Sequence, residues 1–259
     1  MIASLGMYDF GALMGANDRF WALIRDHLRA AGIDAPDALI RGEDAFWPTW
    51  QSPDLLLSQT CGYPFRAQLH GNTRQVCTPD YGLPDAAPGH YYSNFVVRHD
   101  DPRTNLADFD SAPFAFNEDL SQSGWAAPQN HVAKLGLRLP PTYRSGGHRR
   151  SARAVADGVA DIAALDAVTW ALMQDVDPVV QELRVIARTE PTPGLPYITA
   201  GHRDPAPMLS AITEAIPRLA PADRALLRVK DVVAIPLSAY LAVPNPPTPD
   251  QIAHSFAPN

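Results

Sequence analysis

Short apolar runs bounded by turn residues alternate, along most of this chain, with stretches whose apolar positions recur at helical spacing. Residues 1–8 form the first such run and predict a buried strand. Phe20, Trp21, Ile24, Leu28 and Ala31 then trace a helical stripe. With Asn17 as its cap and Gly32 at its exit, the stripe predicts a helix over roughly 18–31. Ala38-Leu39-Ile40 is a candidate second strand, and Asp44–Gln51 a short helix interrupted by Pro48. Further strands are predicted for Asp54–Gln59, Gln75–Pro79, Tyr91–His99, Phe114–Asn117, Ala160–Asp166, Leu183–Thr189 and Tyr197–Ala200. Helices are predicted for Gly124–Leu135, for His148–Asp157 before Gly158, and near 206–218 and 221–231. The Pro-rich tail from Val243 reads as irregular.

Alternation of this kind implies α/β layers with largely parallel sheets. Two extended runs, YYSNFVVRH and PYITAGH, lie about a hundred residues apart, each after a turn-rich stretch. Taken as crossing strands, they divide the chain into two lobes. Lobe 1 is residues 1–95 plus 199–259, lobe 2 is residues 96–198, and the hinges fall near 92–97 and 196–200. A ligand would then sit between the lobes, at the carboxyl ends of strands.

Composition narrows the function. The chain has 259 residues, 46% hydrophobic and 19% charged, which suits an ordinary water-soluble protein of one large or two modest domains. A net charge of −7 argues against a nucleic-acid partner. An anion would have to be held by local N–H groups and hydroxyls against the long-range field. No apolar stretch is long enough to span a membrane. The first residues lack the basic and apolar regions of a signal peptide, so the expected location is cytoplasmic if residue 1 is the native start. Two cysteines, Cys61 and Cys77, form no CxxC pair. They read as buried thiols or, in an exported protein, as a disulfide. There is no GxGxxG, Walker, HExxH or GxSxG motif, and the eight histidines are scattered. Neither a metal nor a cofactor is expected.

The segment with the most chemistry is Asn117-Glu-Asp-Leu-Ser-Gln-Ser-Gly-Trp125, between a strand and a helix. Ser121, Ser123 and Gly124 put hydroxyls and backbone N–H groups at the positive end of that helix, as an anion site needs. The same pattern also serves as a plain N-cap. In Tyr143-Arg-Ser-Gly-Gly-His-Arg-Arg-Ser-Ala-Arg153 a glycine turn precedes a helix that begins at His148. Its first turns carry Arg149, Arg150 and Arg153, against the macrodipole. Those arginines read either as a hint of anionic company or as a solvated basic face. Asp166 ends a strand, and is a ligand acceptor or the next helix's cap. Gln59 and Thr60 follow an apolar strand, and Tyr8, Tyr91 and Tyr92 are candidate pocket walls.

These segments resemble the phosphate/phosphonate-binding family of ABC-transporter solute receptors. The likeness is strongest in DLLLSQTCGYP, YYSNFVVR, FAFNEDLSQSG and SGGHRRSARAVADGVADIAALDAVTW. It implies the type II periplasmic-binding fold, an α/β architecture of two lobes joined by two hinge strands. It also implies a periplasmic location, a small anionic ligand, a transporter permease as partner, a monomer, and no catalysis. The resemblance assigns the anion's oxygens to Ser121, Gln122, Ser123 and Gly124, and the site histidine to His148. Tyr8, Tyr92 and Asp166 are carried over as the wall and acidic residues, with Gln59 and Thr60 from the opposite lobe. Two departures bear on the ligand: Gln122 stands where phosphonate binders carry Thr, and Gly147 where they carry Ser. The competing readings are an enzyme on the same lobes, like certain menaquinone- or thiamine-pyrimidine-pathway proteins, and a cytoplasmic ligand sensor. If His148 meets the anion as a cation, affinity falls as pH rises through ~6–7.

Overall fold

The first apolar run condenses into a short strand, β1 (Ile2–Ser4), and the stripe after it forms a helix, α1 (Leu13–Ala30), that begins earlier than its expected cap. This is a computed structural model, and it describes residues 1–256. The chain continues through α2 (Trp47–Trp50), β2 (Leu55–Gln59), α3 (Gly62–Pro64, running on as a π-turn), β3 (Thr73–Asp80) and β4 (His90–Tyr91). Next come β5 (Ser93–Arg98), β6 (Phe114–Phe116), α4 (Ala127–Lys134), β7 (Pro141–Arg144), α5 (His148–Ala156), β8 (Ile162–Asp166) and α6 (Ala167–Val176). The last elements are β9 (Leu183–Arg188), β10 (Thr192–Pro193), β11 (Tyr197–Ala200), α7 (Ala206–Arg218), α8 (Pro221–Leu227), β12 (Asp231–Val233), α9 (Leu237–Leu241) and α10 (Pro249–Ser255).

Two units result: Met1–His90 with Pro193–Ala242, and Tyr91–Thr192 with the segment from Val243 onward. Unit 1 carries a five-stranded sheet in the order β1-β2-β11-β3-β12. β1 and β2 are parallel, while β11 runs antiparallel to β2 and β3 on either side of it. Its core joins Leu55, Phe65, Leu69, Ile198 and Tyr240, with Phe65 and Tyr240 meeting edge to face at 5.3 Å. Unit 2 carries a sheet in the order β7-β6-β8-β5-β9. There β6 is parallel to β7 and β8, and β5 runs antiparallel to β8 and β9. Its core is Val96, Ala115, Val155, Leu165, Met173 and their neighbours. β8, with small residues at its centre, packs against α5.

Several expectations need correction. The sheets are mixed rather than largely parallel: β11 and β12 run against their neighbours in unit 1 and β5 in unit 2, with β11 and β5 reached soon after the chain changes unit. Asn17 is no cap: a turn at Phe10–Gly11 starts α1 early, and Asn17 lies buried inside it. Its amide donates to the Tyr8 carbonyl and to Asp9 at 3.1 and 3.0 Å. Residues 38–40 form no strand; Ile40 makes a single backbone bond to Ala3. The helix expected near 221–231 stops at Leu227, where Arg228 turns left-handed, and β12 follows. The chain changes unit at 90/91 and 192/193, ahead of the expected hinge positions. The tail, expected to be irregular and grouped with lobe 1, contains α10 under a Thr248–Gln251 capping box and belongs to unit 2. It is tied there by Trp125, whose indole N–H donates to Pro247, and by Asn130, which donates to Pro244. Residues 257–259 lie outside the described residues.

Candidate functional site

Two loops of unit 2 meet because their strands are neighbours. β6 and β7 are parallel, so the segments after Phe116 and after Arg144 leave the same sheet edge. Ser145 N–H donates to the Phe116 carbonyl at 2.8 Å and Gly146 N–H to the Asn117 carbonyl at 2.9 Å, which locks the loops together. Gly146 has φ of 75°, in the left-handed region where glycine is favoured. The Ser145 hydroxyl then holds the turn into α5 through the Gly147 carbonyl and Ser151. That turn delivers His148 to the first helical position.

The other loop is built from Ser121. Its hydroxyl accepts from Gly124 N–H at 2.9 Å, and its carbonyl accepts from Trp125 and Ala126, starting a π-turn over Gln122–Ala126 that runs into α4. Ser123 then faces His148, with Oγ 2.8 Å from Nε2. Ser93 on β5 donates to the Ser123 carbonyl at 2.8 Å and fixes the turn from below. The segment is therefore less open than its sequence suggests, since Ser121 spends its hydroxyl on capping and Ser123 on His148. Gln122 reaches Thr192 at 3.4 Å.

Burial pushes the His148 pKa down to about 4, only partly offset by the Ala164 backbone. The imidazole is thus neutral at pH 7, and the expected cation is not present in this state. Its buried Nδ1 has no hydrogen bond of good geometry, and neither has the buried Asn117 Oδ1. Asn117 Oδ1 lies where a side chain on residue 124 would begin: a Cβ there would sit 1.8 Å from it and 3.3 Å from His148 Cε1. Only glycine allows this approach.

The remaining candidates are distributed. Asp166 acts as the cap of α6, accepting from Thr169 N–H at 2.8 Å, and it pairs in register with Ser93. Tyr92 is buried under the Arg188 guanidinium, 5.0 Å from its ring centre. The arginines of α5 form a solvated face: Arg149 pairs with Asp177 at 2.8 Å, Arg153 with Glu182 at 3.1 Å, and Arg150 reaches back to the Gly146 carbonyl. In unit 1, Tyr8 and Gln59 line a small cleft with Asn17, Tyr81 and Tyr197. Tyr8 and Tyr81 meet edge to face at 5.4 Å, and Gln59 donates to Tyr81 and to the Leu195 carbonyl. Thr60 N–H donates to Pro196, but its hydroxyl is buried with no partner. Tyr91 is buried at the 90/91 crossing between the units. Cys61 and Cys77 are buried and not joined in a disulfide, and burial alone pushes the Cys77 thiol up to about 12. Among the described residues no cluster of metal-ligating side chains occurs, and no helix is long and apolar enough to cross a membrane.

Asn117, Ser93 and Tyr81 were not singled out from the sequence. Asn117 does open the segment that holds Ser121–Gly124, so position was a signal. Ser93 and Tyr81 become neighbours of the candidates only through sheet pairing.

A family model described as the periplasmic substrate-binding protein of phosphonate ABC transporters matches residues 54–235. The chain belongs to that family. Among solved structures, a phosphonate-binding protein of this receptor type, PhnD1 from Prochlorococcus marinus in complex with methylphosphonate, is 15% identical. It superposes with a TM-score of 0.71 over 98% of this chain and 97% of its own. XAC2383 from Xanthomonas citri bound to ATP is also 15% identical, with a TM-score of 0.67 over 92% of each chain. A phosphonate-transporter binding component from Pseudomonas aeruginosa gives 0.66 at 15% identity, over 93% of this chain and 82% of its own. At such identities these likenesses show the fold, which is the type II periplasmic-binding architecture expected from the sequence. No curated protein sequence matches the chain. The receptor family and these structural neighbours are binding proteins rather than enzymes.

Proposed function

We propose that this receptor captures a small phosphonate- or phosphate-like anion at the Ser121–Gly124 loop beside His148, without chemically changing it. The observation that carries the reading is the Ser123–His148 pair beside the buried, unpartnered Asn117 Oδ1. It is a cluster of polar groups with hydrogen-bonding capacity left over at one place in unit 2. Such capacity is costly in an empty protein and is recovered when a ligand supplies partners. Because His148 is neutral, the cluster acts by hydrogen bonding rather than by net charge. That suits an acidic protein only if several bonds act together, each worth about 1.5–3 kcal/mol when made to a charged oxygen.

On this reading Tyr92 and Asp166, on the same unit as the loop, are further candidate contacts, and Tyr8, Gln59 and Thr60 are the candidates that unit 1 offers. The ligand would favour the closed state through contacts that the open state lacks. The partner would be a transporter permease that recognises that state. The Ser123–His148 contact is also of the kind that activates a serine nucleophile, but the other group acting on the imidazole is the Ala164 backbone rather than a carboxylate. Binding without turnover is therefore the better reading.

Titration calorimetry with methylphosphonate and inorganic phosphate tests the proposal, followed by phosphorus NMR of the recovered ligand. Micromolar or tighter binding with ligand returned intact is the expected result. Absence of binding to every small oxyanion would remove the receptor reading, and a changed phosphorus spectrum would replace it with an enzymatic one.

A further inference from the structure

In the anion-receptor reading Asn117 Oδ1 has a place in the cluster but no partner on the ligand. It is an acceptor, it is buried, and nothing among the described residues donates to it. It occupies the space that glycine leaves open at position 124, on the side of that residue that faces His148 Cε1. The two carboxylates that follow it in the chain, Glu118 and Asp119, both turn to Arg144, so neither competes for the same place. The uncharged amide oxygen therefore stands alone among the hydroxyls and N–H groups of the loop.

An oxyanion with no proton brings only acceptors, and an acceptor set against Asn117 Oδ1 is repelled. An oxyanion that keeps one proton brings a donor as well. Phosphonates and phosphates ionise a second time near neutrality, at about pH 6 for a phosphate monoester, so P–OH forms are populated under ordinary conditions. Sulfates and sulfonates are fully ionised there and carry no such proton. Burying an acceptor with no donor is penalised, and a site built to receive a hydroxyl rejects the analogue that lacks it.

Resting on the anion-receptor reading, we propose that Asn117 is a specificity residue: its Oδ1 accepts the P–OH hydrogen of a monoprotonated phosphonate or phosphate and thereby excludes sulfonates and sulfate. The donor and acceptor patterns of the loop then match one protonation state of one class of anion.

Calorimetry at pH 7 on the full chain tests this, with methylphosphonate and inorganic phosphate set against methanesulfonate and sulfate. The wild type is expected to favour the phosphorus anions by roughly tenfold to a hundredfold, the range of one hydrogen bond to a charged group. Asn117→Ala should collapse that preference, while Asn117→Asp, which keeps an acceptor oxygen in either orientation of the group, should retain it. Should Asn117→Ala fail to fold, the wild-type ratio and the Asp variant decide. Equal affinity for sulfonate and phosphonate in the wild type overturns the inference but leaves the receptor reading standing. So does an undiminished preference in Asn117→Ala. Failure of all four anions to bind overturns both.

Discussion

Units 1 and 2 have the same kind of scaffold, a five-stranded mixed sheet, yet they treat buried polar atoms differently. In unit 1 the polar groups close on one another: Ser4 with Ser58, Trp50 with Ser58 and Gln59, Thr78 with Tyr240, and Gln59 with Tyr81 and Leu195. Its buried atoms without a hydrogen bond include the Thr60 hydroxyl and Arg203 Nε, which lie far apart in the chain. In unit 2 the unsatisfied atoms, Asn117 Oδ1 and His148 Nδ1, belong to residues that converge on Gly124. The unit 1 atoms lie on separate segments of the chain, whereas the unit 2 pair belongs to residues that meet at one glycine, where hydrogen-bonding capacity is left over in one place.

The largest effects should come from the shared scaffold. Trp21 in unit 1 and Trp125 in unit 2 are both fully buried. Either Trp→Ala change should remove about 3–5 kcal/mol of stability. Denaturant melts that resolve two transitions, with only the mutated unit shifted, would show that the units unfold separately. A single shifted transition would show one cooperative block.

Next is the pH response confined to unit 2. The folded pKa of His148 lies near 4, below the ordinary value of 6.5. Between those values the unfolded chain binds the extra proton and the folded chain does not. Stability is then fully present above about pH 6.5 and is lost as pH falls toward 4, by about 2–3 kcal/mol. His148→Gln should flatten this window in melts taken from pH 7 to pH 4. An unaltered slope would assign the acid sensitivity to other groups. For the same reason His148 titration should not weaken anion binding between pH 6 and 7, which reverses the expectation from sequence.

Smaller effects separate the two units at the level of the ligand. Ser123→Ala should weaken methylphosphonate binding about tenfold, on the scale of one hydrogen bond. Affinity that stays the same in calorimetry would take this hydroxyl out of the site. Thr60→Val should change stability by less than about 0.5 kcal/mol or raise it slightly, because it removes a buried hydroxyl that has no partner. A clear loss of ligand affinity in that variant would instead make the Thr60 hydroxyl part of the ligand site.

Much of this was legible in the residues. Buried strands such as Leu55–Gln59 and Ile162–Asp166 stand out because continuous apolar runs have few alternatives, and α5 because Gly146-Gly147 and Gly158 bracket it. The Ser121–Gly124 loop was visible as a helix start. What the sequence could not convey was which of its hydroxyls are already engaged, since Ser121 caps its own helix and Ser123 pairs with a residue 25 positions away. Asn17 was misread for a related reason: a cap is defined by the backbone preceding it, and the turn at Phe10–Gly11 moved the helix start.

The residues alone therefore determined the fold class, the family and the place of the Ser121–Gly124 segment between a strand and a helix, because these rest on local periodicity and on motifs contiguous in the chain. Tertiary structure decided the charge state of His148, the isolation of Asn117 Oδ1 and the membership of the C-terminal helix. Each depends on burial and partners that only the packing of distant segments supplies. A histidine is a cation or a neutral hydrogen-bonding ring according to how much water surrounds it, and no sequence position carries that information.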